Sequence, residues 1–412
     1  MQTALNFPHK LTANITLPTS KSISNRALMI QALCPERLHT IKHLAVCDDT
    51  EHMQQGIAAK RAGATLINIG ATGTAMRFLT AYLAINPGET ILTGSERMQQ
   101  RPIAVLVEAL RDLGADISYI HNEGFPPLRI RGNSLRGGAI EIEASISSQY
   151  ISALLMIGPC LVDGLTLHLK GTITSRTYID LTLDLMRHYG AKAEWSDEQT
   201  IHVAHGAYED HPLTIEGDWS GASYWYELAA IAAHCGHEVE IMLYGLTADS
   251  RQGDHVVANL FEPLGIATEY TTEGARLRNC QPSNINCQID FTHCPDIAQT
   301  LAVTYCILGI PFTFEGIHSL RIKETDRVAA LIAELRKLGY VLHAEGSTRL
   351  TWDGKRTNPI PCPTISTYED HRMAMAFAPA AIYHKELSIE HPEVVKKSYP
   401  NFWVDFNRFA EL

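Results

Sequence analysis

The sequence has no CxxC pair among its nine cysteines, no HExxH, no GxSxG elbow and no loop ending in Gly-Lys-Ser/Thr. No GxGxxG follows a strand with a suitable acidic residue downstream. These absences exclude the common zinc-hydrolase, serine-hydrolase, P-loop and dinucleotide-binding signatures. Cys280, Cys287 and Cys294 are evenly spaced, yet at intervals that match no usual zinc ligand set. Reduced thiols of a cytoplasmic protein are expected, and no metal.

Basic charge is also short: 34 Lys and Arg stand against 45 Asp and Glu, for a net charge of −11. A general nucleic-acid or anionic-membrane binder carries the opposite surplus. No apolar run approaches a membrane span, and "MQTALNFPHKLTANITLP" lacks the apolar core of a signal peptide.

What is present is enough for a large core. The 412 residues are 45% hydrophobic, which points to two or more domains. Five segments share one layout: "HMQQGIAAKRAGATL", "LVEALRDLGADI", "LTLDLMRHYGAKAEW", "VVANLFEPLGIATEY" and "LIAELRKLGYVLHAE". Each is an amphipathic helix closed by Gly63, Gly114, Gly190, Gly265 or Gly339, then a short strand-like run. The pattern predicts repeated α/β units. "HPLTIEGDWSGAS" changes character near residue 216 and reads as the crossing between two lobes of similar size.

One further lack is local. Helix starts favour acidic and small polar residues, because their exposed N–H groups and positive dipole end attract negative charge. Here several carry cations instead. They are Lys21 and Arg26 in "SKSISNR", Arg77 in "GATGTAMRFL", Arg97 and Arg101 in "SERMQQRPI", and Arg321, Lys323 and Arg327 in "RIKETDR". His371 and Arg372 in "DHRMAM" and Lys396 and Lys397 in "KKSYPNF" complete the set. Each cation alone reads as structural, since Glu324, Asp326 and Asp370 stand close in sequence. Six such segments in an acidic chain predict a pocket for a strongly anionic ligand, which turns an unfavourable dipole contact favourable. "SSQY" and "SRTY" add hydroxyls and an amide suited to phosphate or sugar-like ligands.

These segments, with "EGDWSGASYW" and "PDIAQTLAV", occur in an order and context that resembles the 5-enolpyruvylshikimate-3-phosphate synthase family. The likeness runs from about residue 16 to 403. It implies an α/β, two-lobed enolpyruvyl-transferase fold, an inside-out α/β barrel with three βαβαββ-type units per lobe. Residues 1–18 with 217–412 would form one lobe and 19–216 the other, with the active site in the cleft between them. The implied reaction transfers the enolpyruvyl group of phosphoenolpyruvate to the 5-hydroxyl of shikimate 3-phosphate and releases phosphate, without a cofactor. A monomer in the cytoplasm, a target of glyphosate, is the family expectation.

By resemblance, phosphoenolpyruvate would meet Lys21, Gly73, Thr74, Arg101, Gln149, Arg327, Arg372 and Lys397. The forks of Arg327 and Arg372 suit a carboxylate, and the remaining cations suit phosphate. Shikimate 3-phosphate would meet Ser22 and Arg26 through its carboxylate and Ser147, Ser148 and Ser175 through its phosphate. Gln149, Tyr178, Asp296, Ser319 and Lys323 would complete that site. Asp296 is the candidate base, shared with Lys323; Glu324 and Lys21 are candidates for proton delivery to the methylene carbon. Arg77 and His371 would support from behind. Read by itself, "PDIAQT" is a plain capping sequence, and without the resemblance Asp296 reads as a helix cap.

The chain departs from the family pattern at Ala71 and Thr72, at Phe78 in place of Pro, at Ser319 in place of Asn, and at Glu369. None of these removes a charge that the reaction needs. A related enolpyruvyl transferase with another acceptor and a catalytically silent anion-binding homologue are the alternatives.

Overall fold

The computed structural model describes residues 9–409. The chain divides into two compact units, Met1–Thr19 with Glu216–Leu412 and Ser20–Ile215. Residues 1–8 and 410–412, assigned above to the first lobe, lie outside the described residues, as does the opening of the stretch read for a signal peptide.

Four sheets share one order, in which two parallel strands are followed by an antiparallel pair. In the discontinuous unit, Lys10–Thr16 runs parallel to Glu238–Tyr244, and Gly274–Asn279 and Ile266–Tyr270 follow. The second sheet there runs Gln288–Asp290, Phe312–Glu315, Arg349–Trp352, His343–Glu345. The continuous unit repeats this with Leu66–Asn68, Gly88–Thr93, Leu128–Gly132, Asp116–Tyr119 and with Gly138–Glu143, Leu165–Lys170, Thr200–Val203, Ala193–Trp195.

The repeat has a local cause. Gly63, Gly114, Gly190, Gly265 and Gly339 all adopt positive φ, between 79° and 99°. A left-handed residue ends the helix and turns the chain toward the sheet, and only Gly does so without a Cβ penalty. The strand that follows is in each case an edge strand.

The third unit of each lobe has fewer paired strands than the other two. The discontinuous unit has only Thr364–Ile365 paired with Ser388–Ile389 around the helix His371–Phe377. The chain then packs Tyr399, Phe402 and Phe409 on the ring of Trp225 in place of a terminal hairpin. The continuous unit keeps a single bridge, Lys42 to Thr214.

The helices, not the sheets, fill the centre. Gly73–Ile85 buries every residue but Ile85, and Ser148–Ile157 every residue but Gln149. Trp219–His234 and Ala298–Leu308 are covered almost as completely, and His371–Phe377 is buried throughout. A helix apolar on all sides is stable only where protein surrounds it.

Candidate functional site

Each unit carries its own constellation of cations. In the discontinuous unit the helix starts meet around Asp296, Arg327 and Arg372. Asp370 caps the helix His371–Phe377 by accepting from the N–H of Arg372 at 2.9 Å. The two residues before it, Tyr368 and Glu369, both have left-handed backbones, φ 54° and 56°. Each costs about 1–2 kcal/mol, and the hydrogen bond of the Tyr368 hydroxyl to Glu334 Oε1 at 2.7 Å helps to hold the turn. The strained turn delivers Asp370 and Arg372 together.

Arg327 is 1% exposed and joins three carboxylates. Its Nε donates to Asp370 Oδ2 at 2.6 Å, Nη1 to Asp296 Oδ1 at 3.0 Å and Nη2 to Glu324 Oε2 at 3.0 Å. All three of its nitrogens brace the protein's own acids. Glu324 is held on its other side by Lys397 Nζ at 2.7 Å. Lys323 Nζ lies 3.6 Å from Asp296 Oδ1. Arg372 Nη2 reaches Asp296 Oδ2 at 3.1 Å, while Nη1 contacts the Tyr224 hydroxyl at 3.4 Å and the Asp296 carbonyl at 3.3 Å.

Asp296 is not the helix cap that its sequence also allowed. It lies inside the turn Pro295–Ile297, with no capping bond, and its carboxylate faces three cations. Burial opposes its ionisation, but Arg372, Lys323 and Arg327 outweigh burial and hold the carboxyl well below the usual range. Burial pulls Lys323 below the ordinary lysine value despite its neighbour Asp296. His371 is buried, with Nδ1 3.5 Å from Asp370 Oδ1. Ser319 is buried in the short helix His318–Ile322.

The continuous unit is built differently. Arg26 is buried, yet its donors reach only neutral oxygens: Thr182 Oγ1 at 2.7 Å, the Ser22 carbonyl at 3.0 Å, Ser152 Oγ at 3.1 Å and the Tyr178 carbonyl at 3.4 Å. Its guanidinium also lies over the rings of Phe78 and Tyr178, at 5.5 and 5.6 Å. Burial without a balancing carboxylate lowers its pKa to about 10. Lys21 Nζ pairs with Asp49 Oδ2 at 3.0 Å, a carboxylate the sequence reading passed over.

Arg101 lies against Gly73: a Cβ there would come within 2.7 Å of its Nη1. Its Nε is buried, with no partner among the described residues. Arg77 fixes this arrangement by bonding the Gly73 carbonyl at 3.2 Å and the Pro102 carbonyl at 3.2 Å. Gln149 Nε2 donates to Thr74 Oγ1 at 3.3 Å, which brings the starts of two buried helices together. Ser147 caps the helix Ser148–Ile157, and Ser175 starts Arg176–His188 from a left-handed φ of 55°.

Several cations stay outside both constellations. Arg97 and Lys396 are exposed. Arg321 pairs with Asp326, and Arg176 stacks on Trp195 at 4.0 Å. Sequence reading missed Ser220, Tyr224 and Asp254, which surround Arg372. Of these, Ser220 alone had a signal, its place in the small polar run "GDWSGAS".

Comparison with known proteins gives first a class. The fold is that of the enolpyruvyl transferases. A solved EPSP synthase from Acinetobacter baumannii superposes with a TM-score of 0.75 at 20% identity, covering 98% of this chain and 97% of that one. The enolpyruvyl transferase NikO from Streptomyces tendae gives 0.71 at 13% identity, with 99% and 97% covered. The sequence then narrows the class. The family model of EPSP synthase (3-phosphoshikimate 1-carboxyvinyltransferase) matches residues 5–66 and 56–406. A 3-phosphoshikimate 1-carboxyvinyltransferase from Bacteroides fragilis is 52% identical over 408 residues, 99% of this chain and 98% of that protein. One from Photobacterium profundum is 36% identical, with 98% and 97% covered. The chain belongs to the EPSP synthase family.

Proposed function

We propose that this chain transfers the enolpyruvyl group of phosphoenolpyruvate to the 5-hydroxyl of shikimate 3-phosphate and releases phosphate. One observation carries the reading beyond family membership: Asp296, kept ionised by Lys323, Arg327 and Arg372, lies beside Glu324, itself held by Arg327 and Lys397. Two carboxylates in one cationic cluster provide a proton acceptor and a proton relay for addition across an enol double bond.

Asp296 accepts the proton of the attacking hydroxyl. Its low resting basicity rises when substrate anions offset the neighbouring cations. Lys323, pulled down by burial, shares that proton more readily than an ordinary lysine. Glu324 relays a proton to the methylene carbon and takes one back from the resulting methyl group as the C–O bond to phosphate breaks, which restores the double bond. Arg372, Lys397, Lys21 and Arg101 stabilise the negative charge of the bound and departing phosphoenolpyruvate groups. Gly73, Thr74 and Gln149 present backbone and amide donors to the same substrate.

Shikimate 3-phosphate is assigned to Ser22, Arg26, Ser147, Ser148, Gln149, Ser175 and Tyr178, with Asp296, Ser319 and Lys323. Arg26, buried without a carboxylate partner, supports an anion there, because a bound anion offsets its desolvation. Among the described residues no helix is long and apolar enough to cross a membrane. A monomeric enzyme of the cytoplasm fits that reading.

Phosphate release tests the proposal. Release from phosphoenolpyruvate that depends on shikimate 3-phosphate is expected. Binding of both ligands without release would leave a silent homologue. Failure to bind shikimate 3-phosphate would leave a different acceptor.

A further inference from the structure

Arg372 has a neighbour that the reaction above does not use. Asp254, in the turn Gly253–Val256, is 2% exposed. The Ser220 hydroxyl donates to Asp254 Oδ2, so the Ser220 oxygen is left to accept from Arg372 Nη2 at 3.4 Å. Asp254 Oδ1 is buried without a partner among the described residues. The turn itself is anchored: Gln252 accepts from the Trp219 N–H at 3.2 Å and donates to the Gly217 carbonyl at 2.8 Å. Asp254 is therefore fixed one hydroxyl away from Arg372.

We propose that Asp254 is a positioning residue for Arg372, acting through Ser220, and that its charge limits how strongly Arg372 holds an anion. The inference rests on the assignment of phosphoenolpyruvate to Arg372. Ionised, Asp254 keeps the Ser220 lone pair turned to Arg372 and repels an incoming anion. Protonated, it does neither. Asp254 is faced by Asp296 from the turn Pro295–Ile297, by Arg372, by Asp218 at the start of Trp219–His234 and by the Cys294 thiol, with His255 next to it on its own turn. Burial and the Asp296 charge push its pKa up to about 6, against the pull of Arg372. Asp296 and Asp254 thus share one guanidinium with opposite outcomes: Asp296 keeps its charge and Asp254 gives it up first.

The test compares wild type with Asp254→Asn, which removes the charge and keeps an acceptor for Ser220. Calorimetric titration with phosphoenolpyruvate should show the variant binding about tenfold more tightly at pH 8, where Asp254 is ionised; a charge across an effective dielectric of roughly 20 has this size. At pH 5 the two proteins should agree within about twofold. Taking the ratio cancels the ligand's own titration. An identical ratio at both pH values, or weaker binding by the variant, overturns the proposal.

Binding and ionisation are reciprocal, so the second readout follows the Asp254 carboxyl by ¹³C titration in the full chain. Its midpoint should rise in Arg372→Gln, which needs no ligand, and should also rise with inorganic phosphate. A midpoint unmoved by Arg372→Gln overturns the inference even if the chain proves inactive. A shifted midpoint without turnover leaves it standing while the functional reading fails.

Discussion

The cluster around Arg327 and Arg372 and the site of Arg26 handle positive charge in opposite ways. Around Arg327 and Arg372 every cation is matched by carboxylates already in the fold: Asp296, Glu324 and Asp370. Around Arg26 the partners are hydroxyls, carbonyls and rings. A compensated cluster has groups that can take up and release protons, and it must rearrange its charges to accept an anion. An uncompensated cation holds an anion but has no proton to move at neutral pH. In the proposed reaction the compensated cluster would carry proton transfer, and Arg26 would hold an anion.

The sharpest way to break this comparison is Asp296→Asn. The change keeps the size and removes the proton acceptor, so kcat should fall by about 10²–10⁴ while the affinity for phosphoenolpyruvate changes far less. Steady-state rates with calorimetric binding decide it. A kcat within tenfold of wild type would assign the base elsewhere.

Next come the two arginines side by side. Arg327→Met leaves Asp370, fully buried, together with Asp296 and Glu324 short of their counter-charge. Removing one partner of such a network costs about 3–5 kcal/mol. Arg26→Met strands only neutral oxygens, a penalty of about 1–3 kcal/mol. Urea unfolding of both variants measures the gap, and equal losses would mean that the compensation is not what distinguishes the clusters.

The acid response sharpens the same point. Asp296 has a folded pKa below its unfolded one, so its stabilisation is complete above the ordinary carboxylate value, near ~4. It is lost as pH falls from there through the depressed value, at up to about 1.4 kcal/mol per pH unit. Below pH ~4, Asp296→Asn should therefore lose stability less steeply than wild type, by one proton's worth of slope. Parallel curves would show that Asp296 does not carry this linkage.

How much of this was legible beforehand depends on the range of the interaction. Gly114 or Gly339 announces a helix end through its own backbone needs, so the repeated layout could be read locally. The abbreviated third repeats could not: what replaces the last hairpin is Trp225 meeting Tyr399, Phe402 and Phe409, a contact between distant parts of the chain. The cations at helix starts were visible because they break a dipole rule. Which of them turn inward was not. Arg176 stacks on Trp195, and nothing near it in the chain distinguishes it from Arg26. Asp296 was ambiguous for the same reason, since a cap and a site carboxylate look alike until Arg327 and Arg372 arrive from elsewhere. Asp254 left no signal at all.

Gly73→Ala tests grip in the continuous unit. The new Cβ would press on the Arg101 guanidinium, the far end of a flexible side chain, so the fold should persist while the cation moves. The KM for phosphoenolpyruvate should rise about tenfold, or about 1.4 kcal/mol, with shikimate 3-phosphate affinity unchanged. An unchanged KM would separate Arg101 from that substrate.

The smallest expected effect is the most discriminating for Arg26. If rings and neutral oxygens hold this guanidinium in place of carboxylates, the ring of Phe78 contributes through its face as well as its volume. Phe78→Leu keeps an apolar side chain and removes the π face, a change of about 0.5–1 kcal/mol at such a contact. Shikimate 3-phosphate should then bind roughly two- to fivefold more weakly, and phosphoenolpyruvate binding should stay the same. Phe78→Tyr retains the face and should restore the affinity. Were Leu and Tyr to weaken binding alike, packing volume would explain the contact, and the ring's charge distribution would have no part in positioning Arg26.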